Sequence, residues 1–340
     1  MATKKFAKVF LVLALFSVLV LASGCVGKPK EKVVANKTAE AFIGGTEGLK
    51  ISFLPDQPPS EVFAKQSFTI GLKIENIGEG KMFPLNNLNI STLRSGTSDK
   101  IGTDKPGAFV EIMGITKEAF TNLKQLTNIT EALNPAKKVG KDIVPGGSTF
   151  ITLTPTAPEI VGASQNYPLV AKLVYAYETK AISTVCLKEN IYTQATGGKE
   201  ICKISGQKPV SNSGGPIQIT SVEETYNGFN IKVKNVGTGE PFILNETFKY
   251  FNISEIDKFQ ELNRIWVDNV SLGTKDITSN CTGFVTERVL FLPKGEATFY
   301  CTTKVTGGVE AVDQLKITLK YGYITEARTE FTVTSYGVEE

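Results

Sequence analysis

The chain has 340 residues, with 37 basic and 34 acidic side chains, 5 cysteines and no histidine. The missing histidines exclude Ser-His-Asp, Cys-His and zinc-histidine chemistry, and with them the commonest general base. The formal charge of +3 comes wholly from Lys4, Lys5 and Lys8, so a chain cut after residue 24 has 34 basic and 34 acidic groups. It has no positive excess for a phosphate backbone, and nucleic acid is not expected as a partner.

The N-terminus opens with those lysines, and Val9 to Ala22 follows as an apolar run interrupted only by Ser17. Small residues Ala22-Ser23-Gly24 then lead to Cys25. This is the layout of a secretory signal peptide over residues 1–24. A cysteine directly after the small residues resembles a lipobox, in which the thiol receives a lipid and becomes the new N-terminus. The match is imperfect, since Ala22 stands three residues before the cysteine and Leu21 four before it. The competing expectation is an uncleaved signal anchor. About 20 apolar residues span a bilayer, and Val9 to Ala22 supplies 14. Either way the body is tethered at the outer face of the cell membrane.

Residues 25–46 read as tether: KPKEKVVANKTAE is polar and charged, and Gly44-Gly45 follows. Beyond it the signal is β. Phe68, Ile70, Leu72 and Ile74 alternate with Thr69, Gly71, Lys73 and Glu75, the period of a half-buried strand. Gly78-Glu79-Gly80-Lys81 lacks the P-loop spacing and reads as turn chemistry. One stretch departs from the β pattern: TKEAFTNLKQLTNITEALN, 116–134, has apolar residues at 120, 123, 126, 129 and 133, and Pro135 ends it. It reads as a helical insert with Thr116 as N-cap, broken near Asn128 because steps of three rotate the apolar stripe backward.

The chain carries one unit twice. LVAKLVYAYETKAIST at 169–184 answers LKITLKYGYITEARTE at 315–330 at an offset of 146. IENIGEG at 74–80 answers VKNVGTG at 233–239, and VPGGSTF at 144–150 answers LPKGEATF at 292–299. The paired tyrosines, Tyr175 and Tyr177 against Tyr321 and Tyr323, share the inward parity of the leucines and read as core. Between the copies, SGQKPVSNSGG at 205–215 is rich in Gly and Ser and reads as a linker. Its Ser205/Lys208 match to S-x-x-K is rejected as catalytic, because a flexible linker does not hold a nucleophile in place. In the second copy, Tyr226-Asn227-Gly228-Phe229 predicts a tight hairpin with Asn-Gly at its turn. Short alternating strands between turn clusters predict an all-β chain of two tandem Ig-like β-sandwich domains, 47–204 and 216–336.

Four cysteines remain after Cys25: Cys186, Cys202, Cys281 and Cys301. In an exported chain an even set reads as disulfides, with three connectivities open. Sequence neighbours are favoured, because each pair falls inside one proposed domain. A hairpin turning at Pro293-Lys294 would put Cys301 opposite about residue 286, so a 281–301 bond calls for a bulge or a path that is not a hairpin. A four-thiolate metal site has no C-x-x-C spacing to support it. Asn-x-Ser/Thr occurs at Asn36, Asn89, Asn128, Asn245, Asn252, Asn269 and Asn280, the candidates for glycosylation on an exterior protein.

GTEGLKISFLPDQPP at 45–59 and the N-x-G-x-G strand ends at 76–80 and 235–239 resemble the openings of archaeal cell-surface Ig-like modules of the CARDB type. CLKENIYTQATGGKEIC at 186–202, followed by the Gly-rich stretch and PIQITSVEE, resembles anchored archaeal surface proteins with no assigned activity. The resemblance covers most of residues 45–335 and implies sandwich modules used for spacing, adhesion or envelope contact. It transfers no catalytic residue, metal or cofactor. The expectation is a non-enzymatic, membrane-anchored extracellular scaffold. Its partners would be the membrane, through a lipid anchor, and envelope proteins or surface glycans, met at the 116–134 insert or on an unglycosylated face of the second domain. A substrate-binding lipoprotein of a transporter would need alternating βα units around a cleft. A carboxylate-dependent hydrolase would need a carboxylate pair, and none stands out.

Overall fold

The computed structural model describes residues 42–96, 100–188, 202–245, 253–303 and 310–335, within one compact unit, Glu40–Glu340. The signal segment, Cys25, Asn36 and Asn252 lie outside the described residues. The fold is an all-β sandwich. The first copy contains β1 (Leu49–Phe53), β2 (Glu61–Phe63), β3 (Ile70–Asn76), β4 (Met82–Phe83), the helix α1 (Ile90–Ser95), β5 (Ala108–Met113), β6 (Leu126–Ile129), β7 (Lys137–Val139), β8 (Asp142–Val144), β9 (Ser148–Leu153) and β10 (Ser164–Lys188). Then come β11 (Gly206–Lys208), β12 (Val210–Asn212), β13 (Ile217–Thr225), β14 (Gly228–Asn235), β15 (Glu240–Phe242), β16 (Arg264–Leu272), β17 (Lys275–Asp276), β18 (Cys281–Thr282), β19 (Val289–Phe291), β20 (Glu296–Thr302) and β21 (Glu310–Thr334).

Each copy has its own small sheet, β1-β3-β9 in the first and β11-β13-β14-β20-β18 in the second. Both pack on a single 11-stranded sheet whose main path is β17-β16-β21-β10-β5-β6. At its centre, β10 and β21 pair antiparallel along all 25 residues, from Ser164 opposite Thr334 to Lys188 opposite Glu310. Ala176 faces Gly322, and these two residues are equivalent at the repeat offset of 146. A local two-fold axis therefore runs between them, and the two copies join edge to edge as a homodimer would.

This joint corrects the separated-domain expectation. β1 packs over β21 and β13 over β10, each small sheet reaching across the axis to the other copy's long strand. β2 also pairs parallel with the end of β21. The supposed linker is structured too: β11 pairs with β13, and β12 pairs with β10. The body begins before residue 47, because Gly45 O accepts from Gly215 N at 3.2 Å. The linker reading failed because Gly and Ser mark turns between strands as readily as free chain.

The helical insert is also corrected. Thr116 does start one turn, with Phe120 N–H bonded to Thr116 O at 2.8 Å. Asn122 then takes a positive φ of 62°, and the chain straightens into β6, paired with β5. Phe120, Leu123 and Ile129 are buried as expected, but from a turn and a strand. Burial of a large apolar side chain is worth about 1.5–3 kcal/mol whatever backbone presents it, so tertiary packing overrides a weak 3.6-residue pattern. Among the described residues the α-helix is α1, capped at its start by Asn89 Oδ1 and closed by Gly96 in the left-handed conformation.

The hairpin at 226–229 forms with a shifted turn. Thr225 pairs with Gly228, so Tyr226 and Asn227 make the loop. A Cβ on Gly228 would come 2.0 Å from the Cys301 carbonyl oxygen, so close strand approach, not the turn itself, calls for glycine here.

Candidate contact site

The four repeat tyrosines gather at the two-fold axis and are buried. Neighbouring rings lie 5.6–6.3 Å apart. The N-x-G-x-G motifs hold the outer phenols. Tyr177 Oη donates to Asn76 Oδ1 and accepts from Gly80 N–H, both at 3.0 Å. In the second copy Tyr323 Oη donates to Asn235 Oδ1 at 3.0 Å and accepts from Gly239 N–H at 2.8 Å. Each asparagine closes the loop by donating Nδ2 to the last glycine's carbonyl, at 3.2 and 2.7 Å. The glycines are required by contact: a Cβ on Gly80 or Gly239 would meet the carbonyl oxygen of Glu178 or Ile324 at 2.0 or 1.9 Å. Burial pushes Tyr175 and Tyr321 far above the usual phenol range, and Tyr323 up to about 12. The motif taken for turn chemistry is thus a clasp around a buried hydroxyl.

Both disulfides are formed, Cys186–Cys202 and Cys281–Cys301, the pattern of a protein from an oxidising compartment. Cys281 lies directly opposite Cys301 between β18 and β20. The path between them is not a hairpin, because β19 leaves to pair with β16 in the large sheet before the chain returns. Beside Cys186, the buried Glu224 carboxylate accepts from Cys186 N–H at 3.0 and 3.2 Å and pairs with Lys208 at 2.6 Å. Burial raises the Glu224 pKa despite that cation. Lys208 is therefore an ion-pair partner held on β11, which replaces flexibility as the reason to reject S-x-x-K.

The sequons divide by exposure. Asn128, Asn245 and Asn280 are exposed and Asn269 is half-buried. Asn89 is withdrawn as a glycan site. It is buried, its Oδ1 caps α1 by accepting from Thr92 N–H at 2.8 Å, and its Nδ2 donates to Asn86 O at 2.9 Å. A sugar on that nitrogen would dismantle the cap.

Two concave regions stand out. One, about 470 Å³, lies beside the second clasp and is lined by Lys172, Glu240, Glu326 and Arg328 among others. Arg328 Nε donates to Glu326 Oε1 at 2.6 Å across it. The other, about 480 Å³, is a slot between β6 and β9 lined by Lys124, Thr127, Glu131, Phe150 and Thr152 among others. Backbone hydrogen bonds close both ends, Thr156 N to Thr121 O and Gly147 N to Asn134 O, each 2.8 Å. Thr127 Oγ1 is buried without a partner. The segment expected to be a recognition helix therefore forms one wall of a slot. Trp266 matched no motif in the sequence. It is buried in a second core, over the face of the large sheet away from the small sheets.

Sequence reasoning missed the hairpin of β7 and β8. All six of its strand residues are exposed, with Val139 61 %, Ile143 59 % and Val144 48 % accessible. Its signal was present in KKVGKDIV, two short β-branched runs around a glycine.

No family model matches the chain, and no curated protein matches it. Among solved structures, Escherichia coli alpha-2-macroglobulin activated by porcine elastase aligns at 10 % identity with a TM-score of 0.13, over 86 % of this chain and 22 % of that one. The chain thus spans about a fifth of that protein, and the likeness carries no argument.

Proposed function

We propose that this protein is a non-enzymatic scaffold of the cell surface, lipid-anchored through Cys25, whose two Ig-like copies act as one stiff body. The 25-pair ladder of β10 and β21 carries this reading. At about 3.3 Å per residue it runs on the order of 80 Å through both copies, without the hinge that a linker would leave. A continuous sheet of that length suits spacing and presentation. The N-terminal lipobox-like segment and the resemblance to CARDB-type archaeal surface modules support the same assignment. Envelope proteins or surface glycans are the partners, and the exposed Asn128, Asn245 and Asn280 are the sequons open to glycosylation. Cross-linking on intact envelopes, followed by capture of the protein, tests the reading. A stable envelope neighbour supports it, and substrate turnover by the purified metal-free protein overturns it.

A further inference from the structure

The β7–β8 hairpin is anomalous in this fold. Lys137 pairs with Val144, Lys138 with Ile143 and Val139 with Asp142, around a Gly140-Lys141 tip. Elsewhere the strands turn most of their aliphatic residues inward, Val312 of β21 and Met113 of β5 being exposed exceptions; here three of them cluster facing solvent on both sides of a two-stranded ribbon. Such a ribbon is marginal in water on its own. The second copy uses the corresponding stretch differently. Its chain folds back as β19 and buries Val289, Leu290 and Leu292.

Charge and position identify what covers the hairpin. Lys137, Lys138 and Lys141 against Asp142 give it two net positive charges, whereas residues 25–340 together are neutral. Its root and the entry of the N-terminal segment hang on one turn: Ala136 N–H donates to Gly78 O at 2.9 Å, and Gly44 N–H to Glu79 Oε2 at 2.9 Å. The 17 residues from Cys25 to Ala41 reach at most about 60 Å. A lipid on Cys25 would therefore hold the middle of the body, where this turn clasps Tyr177 beside the two-fold axis and the hairpin is rooted, within that reach of the membrane.

We propose that the β7–β8 hairpin is a second membrane contact, setting Val139, Ile143 and Val144 into the headgroup boundary and its three lysines against anionic lipid. The proposal rests on the membrane-anchored reading above. An apolar, basic patch close to a lipid anchor adds a second contact that strengthens membrane attachment. Each lysine at an anionic surface contributes about fivefold in partitioning.

The test uses residues 25–340 with Cys25→Ser and both disulfides intact, floated with vesicles of phosphatidylcholine alone or mixed with phosphatidylglycerol. Binding to the mixed vesicles is expected, weakening with salt. Lys137→Gln/Lys138→Gln/Lys141→Gln is expected to lower it by about 100-fold, and Val139→Ser/Ile143→Ser/Val144→Ser by about tenfold or more. Because these side chains are exposed, unchanged thermal melting confirms that both variants fold. A Val139→Trp variant gives an independent signal, a blue shift on mixed vesicles. No flotation, flotation unchanged by either triple variant, or an in-cell photo-cross-link from position 143 that captures protein and no lipid each overturns the proposal. The mass of the mature N-terminal peptide separates the two readings. An unlipidated Cys25 with hairpin-dependent flotation sinks the lipid anchor alone, and a lipidated Cys25 without flotation sinks the hairpin contact alone.

Discussion

Replacing Tyr177 by Phe removes one oxygen and no ring. The loss leaves two buried groups unpaired: the Gly80 N–H that donated to it and the Asn76 Oδ1 that accepted from it. An orphaned buried polar group costs about 1–3 kcal/mol, so Tyr177→Phe should destabilise by roughly 2–4 kcal/mol. Tyr323→Phe breaks the same two bonds in the second copy, where the clasp is part-buried and water replaces some of the loss. Its cost should be about 1–2 kcal/mol. Urea unfolding with disulfides intact measures both, by a shift of midpoint at constant slope. Because the copies share β10 and β21, both variants should shift one and the same transition. A loss below about 0.5 kcal/mol for Tyr177→Phe would refute the clasp. A biphasic curve in which each variant moves only its own phase would refute the fused architecture.

The buried phenols predict alkaline instability. Their folded pKa values lie above the unfolded value of about 10, so the stability they contribute is complete below pH ~10 and is lost as pH rises through the folded values. Tyrosinate absorbance that accounts for all ten tyrosines at the ordinary phenol value while the circular dichroism stays native would contradict this. Gly322→Ala puts a Cβ 2.3 Å from the Phe242 ring and should cost about 1–3 kcal/mol. Phe242→Leu should recover part of that loss in the double variant, and simple additivity of the two would refute the contact. Lys208→Met strands the Glu224 carboxylate and should cost about 3 kcal/mol at neutral pH. Because burial raises the folded Glu224 pKa, that loss should shrink as pH falls toward 4 and the folded state takes the proton; a loss independent of pH would refute the ion pair.

The sequence by itself determined the strand class, the duplication and the inward tyrosines, because each is a local statement; it favoured the cysteine partners, and the structure decided them. Alternation at 68–74 and 315–323 names a buried face without reference to any partner. The shared offset of 146 names equivalent residues. What sequence could not decide was which edge each strand gives to which neighbour. Backbone hydrogen bonds carry no side-chain label, so the meeting of Ala176 with Gly322 across a two-fold axis, which fuses the copies, appears only in three dimensions. The same limit explains the misread segments. Residues 205–215 became β11 and β12 because partners were waiting in β13 and β10, and 116–134 became turn and strand because β5 offered a ladder to residues 126–129. Asn89 reads as a glycan acceptor until the helix it caps is seen, and the N-x-G-x-G motif reads as a turn until the Tyr177 hydroxyl, 101 positions away from Asn76, is placed inside it.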